Sequence, residues 1–168
     1  MHGLRRLPSL LPSARRARGI RTSCYLEPLL ARQDYAAMPI GSVTRLHLRS
    51  GRFLLPFLWY GFRSASQAKR TPGNLGVQLR RTNGLAFWTL SMWETIEAMK
   101  KFMFASPHRK AMQKSPQWCD EASFCDWEQT GTEWSSWDQA AEKLHASGHL
   151  AKVLHPSEQQ KAGKIVRS

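Results

Sequence analysis

Cysteine is scarce in this chain: Cys24, Cys119 and Cys125 are the three among 168 residues, and no two of them have CxxC spacing. That excludes a disulfide framework and a thiolate zinc cage, and predicts reduced thiols in an intracellular compartment. Long hydrophobic runs are missing as well. The longest apolar-looking stretch, Phe53 to Phe62, is interrupted by Pro56 and Gly61 and bracketed by Arg52 and Arg63. It falls well short of the ~18 residues of a spanning helix, so it reads as a buried amphipathic helix of a soluble chain. No glycine-rich phosphate loop, Walker motif or dinucleotide fingerprint is present, which removes the nucleotide-dependent classes that need one. Acidic residues are few, 12 against 25 basic, for a formal charge of +13.

The charge is unevenly placed. Residues 1–37 hold seven Arg against Glu27 and Asp34, and the first 23 residues contain no acid while being rich in Arg, Leu, Ser and Pro. Three readings fit: an organelle transit peptide, an upstream start with translation beginning at Met38, or a disordered basic arm. The expected localisation is cytoplasmic, or mitochondrial or plastid if residues 1–37 are a transit peptide. The folded domain is expected over residues 38–156, with 157–168 a poorly ordered tail.

Within the domain the hydrophobic period switches in order. Val43 to Arg49 alternates as a strand, and Phe53, Leu54, Phe57, Leu58, Phe62, Ala65 and Ala68 recur at helical spacing until Thr71-Pro72-Gly73. Leu75 to Arg80 is a second strand, Thr82-Asn83-Gly84 a hairpin turn, and Leu85 to Trp93 a third strand. Ile96, Met99, Phe102 and Met103 form a helical stripe that Pro107 restarts or kinks. Ala122 to Gln129 is a fourth strand, and Ser136 to Gln139 a capping-box start for a last helix. The order βαββαβ followed by α is a ferredoxin-like α+β plan: an antiparallel sheet with helices on one face and an extra C-terminal helix.

Strand parity predicts what lies on each face. Leu46 and Leu48, then Leu75, Val77 and Leu79, then Ala86, Trp88, Leu90 and Met92 are expected under the helices. Arg45, His47, Gln78, Arg80, Phe87, Thr89, Ser91 and Trp93 are left for the other face, which is too aromatic to be wet and too polar to be core. A second subunit closing a lined cavity, or single-stranded RNA stacking there, satisfies that pattern. RNA is disfavoured: Gly84, Ala86 and Phe87 match the RNA-recognition signature, but Asn83, Leu85 and Leu90 lack its basic and stacking groups.

Val43-Thr44-Arg45-Leu46, Phe87-Trp88-Thr89-Leu90, Trp93, Met99 to Met103, His108 to Met112 and Trp118 to Ala122 resemble a DUF3291-type family of the dimeric α/β-barrel superfamily. That family is similar to spheroidene monooxygenase and to antibiotic-biosynthesis monooxygenases. The resemblance covers about residues 38–156. It implies a homodimer whose cavity holds a hydrophobic or aromatic small molecule, and monooxygenase-like chemistry. A non-catalytic ligand-binding protein on the same scaffold is the competing class. The implied catalytic residues are His108, Trp93 and His47, with Arg45, Arg80, Phe87, Thr89 and Ser91 contacting substrate. The cofactor is none or haem, and in the haem case His108 is the candidate axial ligand. In the cofactor-independent case a His or Trp orients a phenolic substrate and assists its deprotonation, with His47, Trp93 and His108 lining the cavity. In the plainest case His108 caps a helix or sits at the kink after Pro107, satisfied by a backbone carbonyl. His145 and His149, spaced i, i+4, lack a third ligand. Asp120, Glu121, Asp126 and Glu128 read as a solvated or salt-bridged rim, and Trp118, Trp127, Trp134 and Trp137 as packing groups.

Overall fold

A computed structural model describes residues 38–82 and 84–166; the readings of residues 1–37, of Cys24 and of Asn83 lie outside the described residues. The chain runs through β1 (Ile40–Leu48), a 3-10 turn (Gly51–Phe53), α1 (Leu54–Arg70), β2 (Asn74–Arg81), β3 (Ala86–Trp93), α2 (Ile96–Phe104), α3 (His108–Trp118), β4 (Cys119–Glu128), α4 (Trp137–Ser147), β5 (His149–Leu150) and α5 (Glu158–Lys161). The strands form one sheet in the order β2-β3-β1-β4-β5, with every neighbouring pair antiparallel. This is the expected ferredoxin-like plan with a short fifth strand added on the β4 edge.

Local chemistry sets the boundaries. Thr71 ends α1 in extended backbone, its hydroxyl returning 2.9 Å to the Gln67 carbonyl, and Gly73 at φ +83° makes the turn into β2. Gly84 supplies the left-handed residue of the β2–β3 turn at φ +66°. Thr95 caps α2 by accepting from the Ala98 amide, and Pro107 separates α2 from α3. At α4 the capping box is complete: Ser136 Oγ accepts from the Gln139 amide, and Gln139 Oε1 accepts from the Ser136 amide.

Both faces of the sheet are covered. On one side α1, α2 and α3 enclose two clusters, one around Trp93, Met99 and Ala68 and one around Leu48, Trp118 and Cys119. On the other, α4 of the same chain seals Val43, Trp88, Leu90 and Cys125 beneath Ala140 and Leu144. Gly41 belongs to that second layer, since a Cβ there would fall into the Trp127 ring.

Two expectations are corrected here. First, β3 is turned over. Directly opposed residues in an antiparallel pair share a face, and the register sets Leu46 opposite Phe87, Thr44 opposite Thr89, and Ser42 opposite Ser91. Phe87, Thr89, Ser91 and Trp93 therefore look toward α1–α3, while Trp88 and Leu90 look toward α4; the parity of Leu46, Val77, Arg45 and His47 is as expected. With α4 closing the face assigned to a second subunit, an uncovered sheet no longer argues for the homodimer. Second, residues 157–166 are packed on the domain, where a poorly ordered tail was expected. Gln160 bridges the Ala151 carbonyl at 2.8 Å and the Ala122 amide at 3.3 Å, the Ser157 amide reaches the Asp120 carbonyl, and Ile165 packs on the α4-side core. No helix of the described residues is long and apolar enough to cross a membrane.

Candidate ligand cavity

Between the sheet and α1–α3 lies a cavity of about 560 Å³, within the ordinary range for a small-molecule site. Its floor is the polar half of the strand alternation, Ser42, Thr44, Thr89 and Ser91, with Phe87 and Trp93 between; its roof is apolar and comes from Phe57, Phe62, Met99, Phe102, Met103 and Met112. Amphipathic strands under an apolar roof suit a hydrophobic ligand that carries a few polar groups.

His108 enters this cavity from the first turn of α3. Three contacts fix it: its amide donates to Gln67 Oε1 at 2.9 Å, its Nδ1 lies 3.3 Å from the Met103 carbonyl, and its ring lies 4.2 Å from that of Phe102. Burial lowers its pKa, outweighing the upward pull of the Met103 carbonyl, so the ring is neutral near pH 7. A carbonyl only accepts, so the single ring proton sits on Nδ1 and the lone pair is on Nε2. Trp93 is fully buried, donates from Nε1 to Ser91 Oγ at 3.1 Å, and stacks on Phe102 at 5.0 Å. Ser91, Trp93, Phe102 and His108 thus form one continuous wall.

Of the residues singled out from the sequence, His108, Trp93, Phe87, Thr89 and Ser91 meet at this cavity. Arg80 reaches its margin from β2, with its guanidinium 5.8 Å from the Trp137 ring. Arg45 and His47 do not belong to it. They occupy the α4 face, where Arg45 pairs with Glu121 at 2.7 Å and His47 Nδ1 sits 2.6 Å from Asp120 Oδ1. The strand parity that separated them from Leu46 was correct; the error was to place Phe87, Thr89 and Ser91 with them. Glu121 is also bonded by Ser157 Oγ at 2.9 Å. Its burial pushes its pKa up, but the hydrogen bonds from Arg45 and Ser157 and the nearby charges of Arg45 and His47 prevail and hold it below the usual value.

Several cavity residues escaped the sequence reading, and Ser64 is the most informative of them. Ser64 on α1 is 8% exposed, lines the cavity, and its hydroxyl has no hydrogen-bond partner among the described residues. The signal was present: position 64 falls on the row Tyr60, Ser64, Ala68, the buried i, i+4 edge of an otherwise apolar stripe. Elsewhere, burial and the neighbouring Asp120 push the Cys119 thiol up to about 12, which leaves it inert. No cluster of three metal-ligating side chains exists among the described residues, and His149 lies against Phe124 in β5.

The sheet order, the helices and this interior cavity define an α+β protein with a ferredoxin-like fold. Residues 60–151 match the family described as "Domain of unknown function (DUF3291)", and the chain belongs to that family. No curated protein matches it. Among solved structures it is similar to a conserved protein from Methanosarcina mazei Go1 (9% identity, 56% of this chain and 96% of that one, TM-score 0.51). It is similar also to two proteins described as candidate antibiotic biosynthesis monooxygenases. One is from Caulobacter crescentus CB15 (19% identity, 58% and 94%, TM-score 0.50), the other from Bacteroides thetaiotaomicron VPI-5482 (12% identity, 60% and 98%, TM-score 0.51). Likeness at these identities is a likeness of fold.

Proposed function

We propose that the protein is a monooxygenase-like enzyme acting on a hydrophobic or aromatic small molecule that carries an ionisable hydroxyl, held in the cavity between the sheet and α1–α3. One observation carries the reading: a neutral imidazole with its Nδ1 proton committed to a backbone carbonyl and its Nε2 lone pair free, set in an apolar chamber. A phenol bound there gives its proton to His108 Nε2, and Trp93, Phe87 and Phe102 pack the ring. Ser64, Thr89 and Ser91 supply hydrogen bonds for the ligand's oxygens. The resulting phenolate is electron-rich enough to reduce dioxygen itself. One oxygen atom ends as a ring carbonyl and the other as water, the two displaced hydrogens leaving with it, so no outside reductant is consumed.

Haem fits this lining poorly. His108 has the neutral, tethered ring that an axial ligand needs, but the side chains of Arg80 and Arg81, the cavity's guanidinium candidates for propionate partners, lie over Trp137 and on the Gly84 carbonyl. A porphyrin's hydrocarbon body would also leave the Ser64 hydroxyl without a partner.

Oxygen uptake over a panel of polycyclic phenols tests the reading. The expected result is substrate-dependent uptake lost by at least about 100-fold in His108→Ala, as for removal of a general base, with ligand binding retained. Uptake unchanged in the variant removes His108 from the reaction, and binding without uptake by any phenol makes the protein a ligand carrier instead.

A further inference from the structure

The outward side of α1 has a composition that the cavity does not explain. Leu55, Trp59 and Phe62 are 79%, 62% and 65% exposed, and at 3.6 residues per turn they fall within about 60° of one another around the helix. Met112 on the neighbouring α3 is exposed too. Exposed apolar side chains grouped in this way mark a contact surface. Along these two helices every formal charge has one sign. Arg52 precedes α1, Arg63, Lys69 and Arg70 lie along it, and Arg109, Lys110 and Lys114 lie along α3. No Asp or Glu occurs in either helix, nor anywhere between Tyr35 and Trp93. Arg63 rests over the Trp59 ring at 5.5 Å, which joins the basic and aromatic parts of the surface.

We propose that the α1–α3 surface seats the protein on an anionic lipid bilayer, with Leu55, Trp59 and Phe62 entering the headgroup–acyl boundary and the basic residues meeting lipid phosphates. An amphipathic helix with Trp, Phe and Leu amid Arg and Lys has the composition of an interfacial element. A second copy of the chain suits the surface worse, because two acid-free faces would bring Arg52, Arg63 and Arg70 against their own kind. Nucleic acid would leave Leu55 and Met112 with nothing to bury against. The position of the surface adds a reason for it. Phe62 and Met112 are exposed and also line the cavity, so a seated protein turns the cavity's rim toward the hydrocarbon where an apolar ligand dissolves. That last consequence rests on the cavity being a ligand site; the seating itself does not.

Residues 1–37 carry seven Arg of their own, so vesicle binding by the full chain is not decisive and a residue-specific readout is required. The full-length protein is mixed with vesicles of phosphatidylglycerol and phosphatidylcholine with brominated acyl chains, which quench tryptophan emission on contact. Quenching is expected with these vesicles and not with pure phosphatidylcholine, and it is expected to vanish in Trp59→Phe while the thermal midpoint stays unchanged. Arg63→Gln and Arg70→Gln are each expected to weaken vesicle partition about fivefold, the loss of one basic contact at an anionic surface. Quenching that persists in Trp59→Phe overturns the proposal and assigns binding to another part of the chain. A dimer in solution that Trp59→Ser dissolves overturns it in favour of a second copy, and absence of any vesicle association overturns it outright.

Discussion

Replacing Ser64 by Ala is expected to stabilise the ligand-free protein and weaken it as a binder, two effects of opposite sign from one atom. A buried hydroxyl without a partner costs on the order of 1–3 kcal/mol relative to its solvated state. Ser64 is 8% exposed and partnerless among the described residues. Alanine removes that cost and is also the better helix former by about 0.5 kcal/mol; the lost oxygen takes some packing with it. The net expectation is a gain of about 1–2 kcal/mol, seen as a rise of ~3–8 °C in the thermal midpoint for a domain of this size. With a phenolic ligand bound the hydroxyl gains a partner, so the variant should bind about three- to tenfold more weakly, the worth of one hydrogen bond. Scanning calorimetry with and without ligand, together with isothermal titration, measures both. A lowered midpoint would mean that a trapped water already satisfies Ser64 and that no polar anchor is waiting; an unchanged affinity would mean that the ligand does not reach α1.

Leu144→Ala, on the opposite side of the sheet, should cost about 2–5 kcal/mol because the side chain is fully buried beneath α4. Urea titration should show that loss while ligand affinity is unchanged, and a matching fall in affinity would contradict the separation of the two faces. Glu121 contributes to the acid limb of stability. Its folded pKa lies below its ordinary 4.5, so the unfolded chain binds more protons as pH drops, and its contribution is present above about 4.5 and lost as pH falls through the folded value. Glu121→Gln should flatten the decline in urea midpoint below that pH, and an identical decline in both proteins would show that other carboxylates carry it.

Most of the architecture was legible because each element announces itself locally. Ser136 with Gln139 marked the start of α4, Thr71-Pro72-Gly73 the end of α1, and the alternation of β1 placed Leu46 and Arg45 on their true faces. The facing of β3 was not legible. Apolarity decides a strand's orientation only when one face is wet, and here Trp88 and Leu90 pack under α4 while Phe87 and Trp93 pack under α1–α3, so both parities are half-buried. Register decided the matter, through the pairing of Leu46 with Phe87, and register is a tertiary fact. The same cause moved the candidate site. Trp93, Thr89 and Ser91 line the cavity beside His108, whereas the sequence alone assigns them to an outer face with Arg45 and His47. The C-terminal strap was missed because Gln160 and Ile165 make isolated contacts to β4 and the α4-side core, and isolated contacts leave no period in a sequence.

The alternation of β3 has a consequence for how this protein changes over generations. Trp88 and Leu90 face the dry layer under α4, whereas Thr89 and Ser91 face the cavity. Of the cavity-facing set, Phe87 and Trp93 are themselves packed in the core, so the lining can vary at Thr89 while the residues that hold the fold stay fixed. A substitution at 89 changes the lining at little risk to folding, whereas one at 91 also takes its acceptor from the buried Trp93 Nε1. An insertion or deletion of a single residue within β3 exchanges the two sets, and so should be purged from any lineage that keeps the fold.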